Sequence, residues 1–152
     1  AILGPKPHTP VQWVGQGARE LALAKIAFLK KAVRHRQIEL RWHDPGMAEV
    51  EGILSRADRR MGAVLISAHQ RGCRMDAWQE HIKLEAWHQA LAEYGWSAAE
   101  WISARDVDEM LPWQWIDAGV AQAYLRREYD KTLAMIATAE SDMAKEAFKS
   151  WA

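Results

Sequence analysis

Residues 44–72 read DPGMAEVEGILSRADRRMGAVLISAHQRG, and this stretch decides the fold class. Asp44 is a good N-cap, and Pro45 sits at the first helical position, where its missing N–H costs nothing. Gly72 is a natural stop at the far end. Met47 to about Arg71 therefore reads as helix, and Ser55–Asp58 is where a break would fall.

The same kind of reading extends outward on both sides. Downstream, Asp76 is expected to cap a helix running through Trp78, Ile82, Leu84, Trp87 and Leu91 to Tyr94, with Gly95 ending it. Ser97-Ala98-Ala99-Glu100 is a capping-box pattern for a short helix. A Pro/Trp loop follows at Leu111–Trp115. Val120 to about Ala139 reads as a long helix, and Ser141 or Asp142 as the cap of a last one reaching Trp151. Upstream, Gln37–Trp42 alternates, with Ile38, Leu40 and Trp42 on one side, which predicts a short strand. From Ala18 to about His35, Leu21, Ala24, Phe28 and Ala32 fall three and four apart among lysines and Arg34, which predicts a helix. Pro5, Pro7 and Pro10 exclude helix and central strand from the first loop, and Ala1-Ile2-Leu3 reads as a strand stub entering it. The fold class is mainly α with one or two short strands.

Composition narrows the function classes. The chain has 152 residues and a net charge of zero, which argues against bulk electrostatic binding to nucleic acid or an anionic membrane. No apolar run approaches the roughly 20 residues of a membrane span. The first residues lack a signal-peptide layout, so a cytoplasmic location is expected. Cys73 is the single cysteine. It cannot form an internal disulfide, nor hold an iron–sulfur cluster, which takes three or four thiolates. Nine tryptophans supply large aromatic area for core or interface.

Several segments resemble one family. Pro5-Lys6-Pro7-His8-Thr9-Pro10-Val11-Gln12-Trp13 is similar to a PKPHTPFQW signature. Arg41-Trp42-His43-Asp44-Pro45 is similar to a WHD turn. Ser55-Arg56-Ala57-Asp58-Arg59-Arg60 is similar to SRGDRR, with Ala57 where glycine is usual. Gly72-Cys73-Arg74-Met75-Asp76-Ala77-Trp78 resembles GxxFDxW. Leu111-Pro112-Trp113 through Asp117–Val120, then Tyr124–Tyr129, resembles the stretch that follows. Taken in order from Pro5 to Tyr129, these segments resemble a group of radical S-adenosylmethionine proteins, many with an N-terminal cobalamin-binding domain. The resemblance implies that residues 1–45 are the last piece of an incomplete α/β barrel and residues 46–152 a helical C-terminal extension. It implies a 4Fe–4S cluster and S-adenosylmethionine, with cobalamin in some members, all held upstream by parts that include a Cys-x-x-x-Cys-x-x-Cys motif. This chain has no such motif, and no bound cofactor is expected of it alone. Its implied partner is the barrel, in the same or a separate chain. The other class of function is a free-standing, non-catalytic helical interaction module.

Five features are candidates for chemistry, and each has a plainer reading beside it. His8, with Lys6, lies in the stiff Pro-rich loop, where a barrel protein places ligand contacts; it also suits a rigid structural exit. Arg56, Arg59 and Arg60, with Asp58, are spaced for one helical face and suit phosphate, carboxylate or a partner; they equally suit a salt-bridged packed helix. His81, Glu85 and His88 share a helix face, and Glu85-x-x-His88 has di-iron spacing, but no second such motif exists to complete a site. A solvated polar face is the expectation there. Cys73, beside Arg74, and the tryptophans are expected to be structural. If residues 1–13 are a barrel stub, exposed Ile2, Leu3 and Trp13 are expected to drive self-association.

Overall fold

The computed structural model describes the backbone of residues 4–149 and the side chains of residues 4–139. Among the described residues six helices follow one another: α1 (Arg19–Ala32), α2 (Pro45–Arg56), α3 (Met61–Gln70), α4 (Leu84–Ala92), α5 (Ala98–Ile102) and α6 (Gln122–Lys149). No strand is present among the described residues. The mainly α expectation holds. None of the described helices is long and apolar enough to cross a membrane.

The helix ends follow local chemistry. The Asp44 carboxylate accepts from the backbone N–H of Gly46 at 2.8 Å and of Met47 at 3.1 Å, with Pro45 in the first turn. Helix α2 stops at Arg56, because Ala57 is extended and the Asp58 carboxylate takes the Arg60 N–H at 2.8 Å. Gly72 and Gly95 end the turns after α3 and α4 at positive φ, where a side chain would be strained. The Ser97/Glu100 capping box forms, with Glu100 accepting the Ser97 N–H at 2.9 Å.

The core lies between α2, α3, α4 and α5. Val50 and Ile53 of α2 pack with Met61, Val64 and Ala68 of α3, Trp87, Ala90 and Leu91 of α4, and Trp101 of α5. Burying each of the large aliphatic side chains is worth roughly 1.5–3 kcal/mol. A second, smaller cluster joins Trp13, Leu111, Trp113 and Leu125, with Tyr129 at 5.3 Å from the Trp13 ring. The segment between the Pro-rich loop and α1 ties the two together. Gln16 N–H donates to Ile102 at 2.8 Å and Arg105 N–H to Trp13 at 2.9 Å. Gly15 permits this approach, since a Cβ there would sit 2.9 Å from the Ala104 backbone nitrogen.

Four expectations need correction. Gln37–Trp42 is not a strand: no second strand lies beside it among the described residues, and the Lys30 ammonium sits 4.1 Å from the Trp42 ring centre instead. Residues 76–83 are turns rather than helix, because Met75 adopts φ 57° and Asp76 spends its carboxylate on the Trp87 indole N–H at 3.3 Å. Helix α6 runs through Ser141 and Asp142 without a new cap, since the surrounding alanines favour continuation. Trp13 is buried, not exposed, so it offers no surface for self-association. The stub at residues 1–3 and Trp151 lie outside the described residues.

Candidate functional site

The Pro-rich loop closes on itself before it meets anything else. The Thr9 hydroxyl donates to the Lys6 carbonyl at 2.7 Å, and the Gln12 N–H to the Thr9 carbonyl at 3.1 Å. His8 adopts φ 56°, and its backbone N–H donates to the Gln12 side chain at 3.1 Å. Lys6 pairs with Glu51 of α2 at 3.0 Å.

That pair lies in a cleft of about 650 Å³ between the loop, α2 and the segment leading into it. Lys6, Arg41, Trp42, His43, Glu51 and Ser55 line it. Glu51 receives Lys6 on one oxygen at 3.0 Å and faces His43 Nε2 from the other at 3.6 Å, while Arg41 pairs with Glu39 at 2.9 Å. These side chains are about half exposed or more, so each pair contributes little to stability. Two nitrogen groups on the Glu51 carboxylate, with the Arg41 guanidinium and the Ser55 hydroxyl on the same cleft wall, can recognise an anionic or hydroxyl-bearing group. No nucleophile–base pair is formed among them.

The arginine cluster does not share a face. The break at Ala57–Arg60 separates its members. Arg56 is fully buried and donates to the carbonyls of Ile102 at 3.2 Å and Gln12 at 3.5 Å. Burial, and then the nearby Arg105 guanidinium, push its pKa down, with Glu109 opposing them. Asp58 holds Arg60 through both carboxylate oxygens, and the Arg60 side-chain hydrogen bond keeps its carboxyl below the usual range. Arg60 lies over Trp96 and Trp101, 5.5 and 5.8 Å from the ring centres. Arg59 is exposed. Arg56 is thus a structural brace, and Asp58 and Arg60 form an internal pair over aromatic rings.

The His81, Glu85 and His88 set also disperses. His81 lies in a turn before α4, Glu85 accepts from Gln89 at 3.3 Å, and His88 meets Glu49 of α2 at 2.5 Å. Among the described residues no three His, Cys, Asp or Glu side chains are grouped to hold a metal ion. Cys73 is buried, with its thiol 3.9 Å from the Lys83 carbonyl. Of the tryptophans, Trp13, Trp87, Trp101 and Trp113 are buried, whereas Trp42, Trp78 and Trp115 are exposed.

Sequence reasoning singled out Lys6 but missed Arg41, His43, Glu51 and Ser55. Their signal was faint: Arg41 and His43 flank a recognisable turn, and Glu51 and Ser55 are four apart on α2, one turn apart on a single face. The chain matches no family model, no curated protein and no solved structure.

Proposed function

We propose that this chain is the C-terminal, non-cluster-binding part of a radical S-adenosylmethionine enzyme, where it closes the barrel and docks substrate or partner. One observation carries this reading. Residues 50–101 enclose a core of their own, and Trp13 joins a second with Leu111, Trp113 and Leu125, but α1 has no buried residue and residues 33–43 have none either. Leu21, Phe28, Leu29, Ile38 and Trp42 are all exposed. An apolar groove of about 460 Å³ runs between α1 and the extended segment Leu40–His43. Backbone N–H groups of residues 39–43 donate to no backbone carbonyl among the described residues. A helix and an extended segment without a covering layer are what one unit of an α/β barrel presents when its neighbours are missing. The ordered motifs from Pro5 to Tyr129 support the same reading.

The chain's own donors do not fit the cluster. One buried thiol cannot replace three or four cysteines, so the 4Fe–4S cluster and S-adenosylmethionine belong to the upstream barrel. In the complete enzyme Lys6, Arg41 and His43 would bind and orient an anionic group at the barrel rim, with His8 fixing the loop.

The test is to read the coding sequence upstream of Ala1 and to purify the polypeptide it specifies without oxygen. A frame continuing into Cys-x-x-x-Cys-x-x-Cys, iron and sulfide in the protein, and 5′-deoxyadenosine released from S-adenosylmethionine are the expected results. A start codon directly before Ala1, with no barrel protein bound in pull-downs, would overturn the reading and leave a free-standing interaction module.

A further inference from the structure

Helix α1 has more apolar surface than one layer can cover. At 100° per residue its apolar positions fall into two stripes. Ala22, Ile26 and Val33 turn inward and are half-buried, and Leu29 lines the groove beside them. Leu21, Ala24 and Phe28 form an outer stripe, and Phe28 is 69% exposed. Cations dominate this helix: Arg19, Lys25, Lys30 and Lys31 against Glu20 alone. Lys30 is engaged by the Trp42 ring. Lys25 and Lys31 flank the outer stripe on its two sides.

The opposite character appears at residues 106–120. This loop holds four acids, Asp106, Asp108, Glu109 and Asp117, and no base. Between them it displays Met110 at 86% and Trp115 at 83% exposure. Its shape is set from within. Trp115 Nε1 donates to the Pro112 carbonyl at 2.8 Å, and the Leu111 N–H to the Gln114 side chain at 3.2 Å. Asp106 and Asp117 each accept a backbone N–H at 2.8 Å. Asp108 pairs with Arg126 and Glu109 with Arg105, whereas Asp106 and Asp117 form no ion pair among the described residues.

We infer that the acidic, tryptophan-bearing loop 106–120 of one copy docks on the basic outer stripe of α1 in a second copy. The two surfaces match in sign and in apolar content, and each carries an exposed aromatic of the kind that anchors interfaces. A rigid loop loses little freedom on binding. The two patches are different, so the contact is heterologous and head-to-tail. It adds copies until geometry closes a ring or concentration limits the chain. Like-with-like pairing of either patch would oppose charges of one sign. Leu21 and Lys25 also line the groove assigned above to the barrel, so a second copy and a barrel would share that edge of α1.

Sedimentation velocity over a range of concentrations tests it. The wild-type chain is expected to associate, and to do so several-fold less well at ~0.5 M than at ~0.05 M salt. Lys25→Glu with Lys31→Glu, and separately Asp106→Lys with Asp117→Lys, are expected to be monomers. Mixed in equal amounts, the two variants are expected to associate again in alternation, because each contact between unlike variants pairs opposite charges while each contact between like variants opposes equal ones. Trp115→Gln and Phe28→Gln, which leave every charge in place, are expected to weaken association by at least about tenfold. Far-UV circular dichroism matching wild type secures the fold of each variant. A wild-type chain that stays monomeric, association that survives both reversals, or a mixture that stays monomeric would each overturn the proposal.

Discussion

The indole N–H of Trp113 donates a 2.8 Å hydrogen bond to the side-chain oxygen of Gln12, joining residues 101 positions apart. The same oxygen accepts the His8 backbone N–H, and the Gln12 amide reaches Gln122 at 3.4 Å. Gln12 is fully buried, so these groups have no water to turn to. Gln12→Leu keeps the volume and strands two N–H donors. It is expected to lower unfolding free energy by about 3 kcal/mol. In a double-mutant cycle read by urea unfolding, Gln12→Leu and Trp113→Phe should show a coupling of about 1 kcal/mol or more.

Arg56 makes a second long-range tie, from α2 to the carbonyls of Gln12 and Ile102. Its planar fork spans two acceptors, which a single ammonium cannot do. Arg56→Lys is therefore expected to recover little of the loss in Arg56→Ala, which should be about 3 kcal/mol once the packed stem is counted. Asp58→Asn, by contrast, breaks only a surface pair and should cost less than about 1 kcal/mol. Thermal melts of the three variants distinguish a brace from a binding cluster. If Arg56→Lys melts like wild type, the guanidinium geometry is not what matters.

Helix ends were legible where local chemistry is self-contained: Asp44 with Pro45, Gly72, Gly95, and Ser97 with Glu100 all act within a few residues of themselves. Failures came where a side chain serves a distant partner. Asp76 looks like a cap, but Trp87 takes its carboxylate. Ile38, Leu40 and Trp42 alternate as a strand would, yet strand formation needs a neighbour, and none lies among the described residues. The site was partly visible. Lys6 stood out within its loop, whereas Glu51 belongs to α2 and comes to it only through tertiary packing, 45 positions away. Arg56, Arg59 and Arg60 misled because spacing describes a face only while the helix continues.

Glu93 gives a pH dependence. The Ser67 hydroxyl donates to its carboxylate, and the Arg71 guanidinium pairs with it, so its pKa is held below the usual range, with partial desolvation opposing. A carboxyl with a depressed native pKa stabilises the fold above its unfolded value, about 4.3, and loses that contribution as pH falls through the native value. Wild type is therefore expected to exceed Glu93→Gln in urea midpoint at pH 7, with the gap closing below about pH 4. A gap that persists unchanged at pH 3 would mean that shape, not charge, explains the difference.

Cys73 is expected to be a quiet thiol. Burial raises its pKa, and the Asp76 carboxylate adds to that, while Lys83 and Arg71 oppose it. The thiolate is the reactive form, and both its population and its access are reduced here. A disulfide reagent at pH 7.5 should label the native chain slowly and the urea-unfolded chain at the rate of a free cysteine. Substituting the Lys83 side chain would remove the larger of the two opposing charge effects and slow native labelling further. Fast native labelling would place Cys73 in a cationic, accessible setting, and the resemblance to GxxFDxW would then deserve a chemical rather than a packing explanation. Cys73→Ala should cost about 1 kcal/mol, the loss of one small buried group from the α3–α4 core, and should leave any association through α1 and residues 106–120 unchanged.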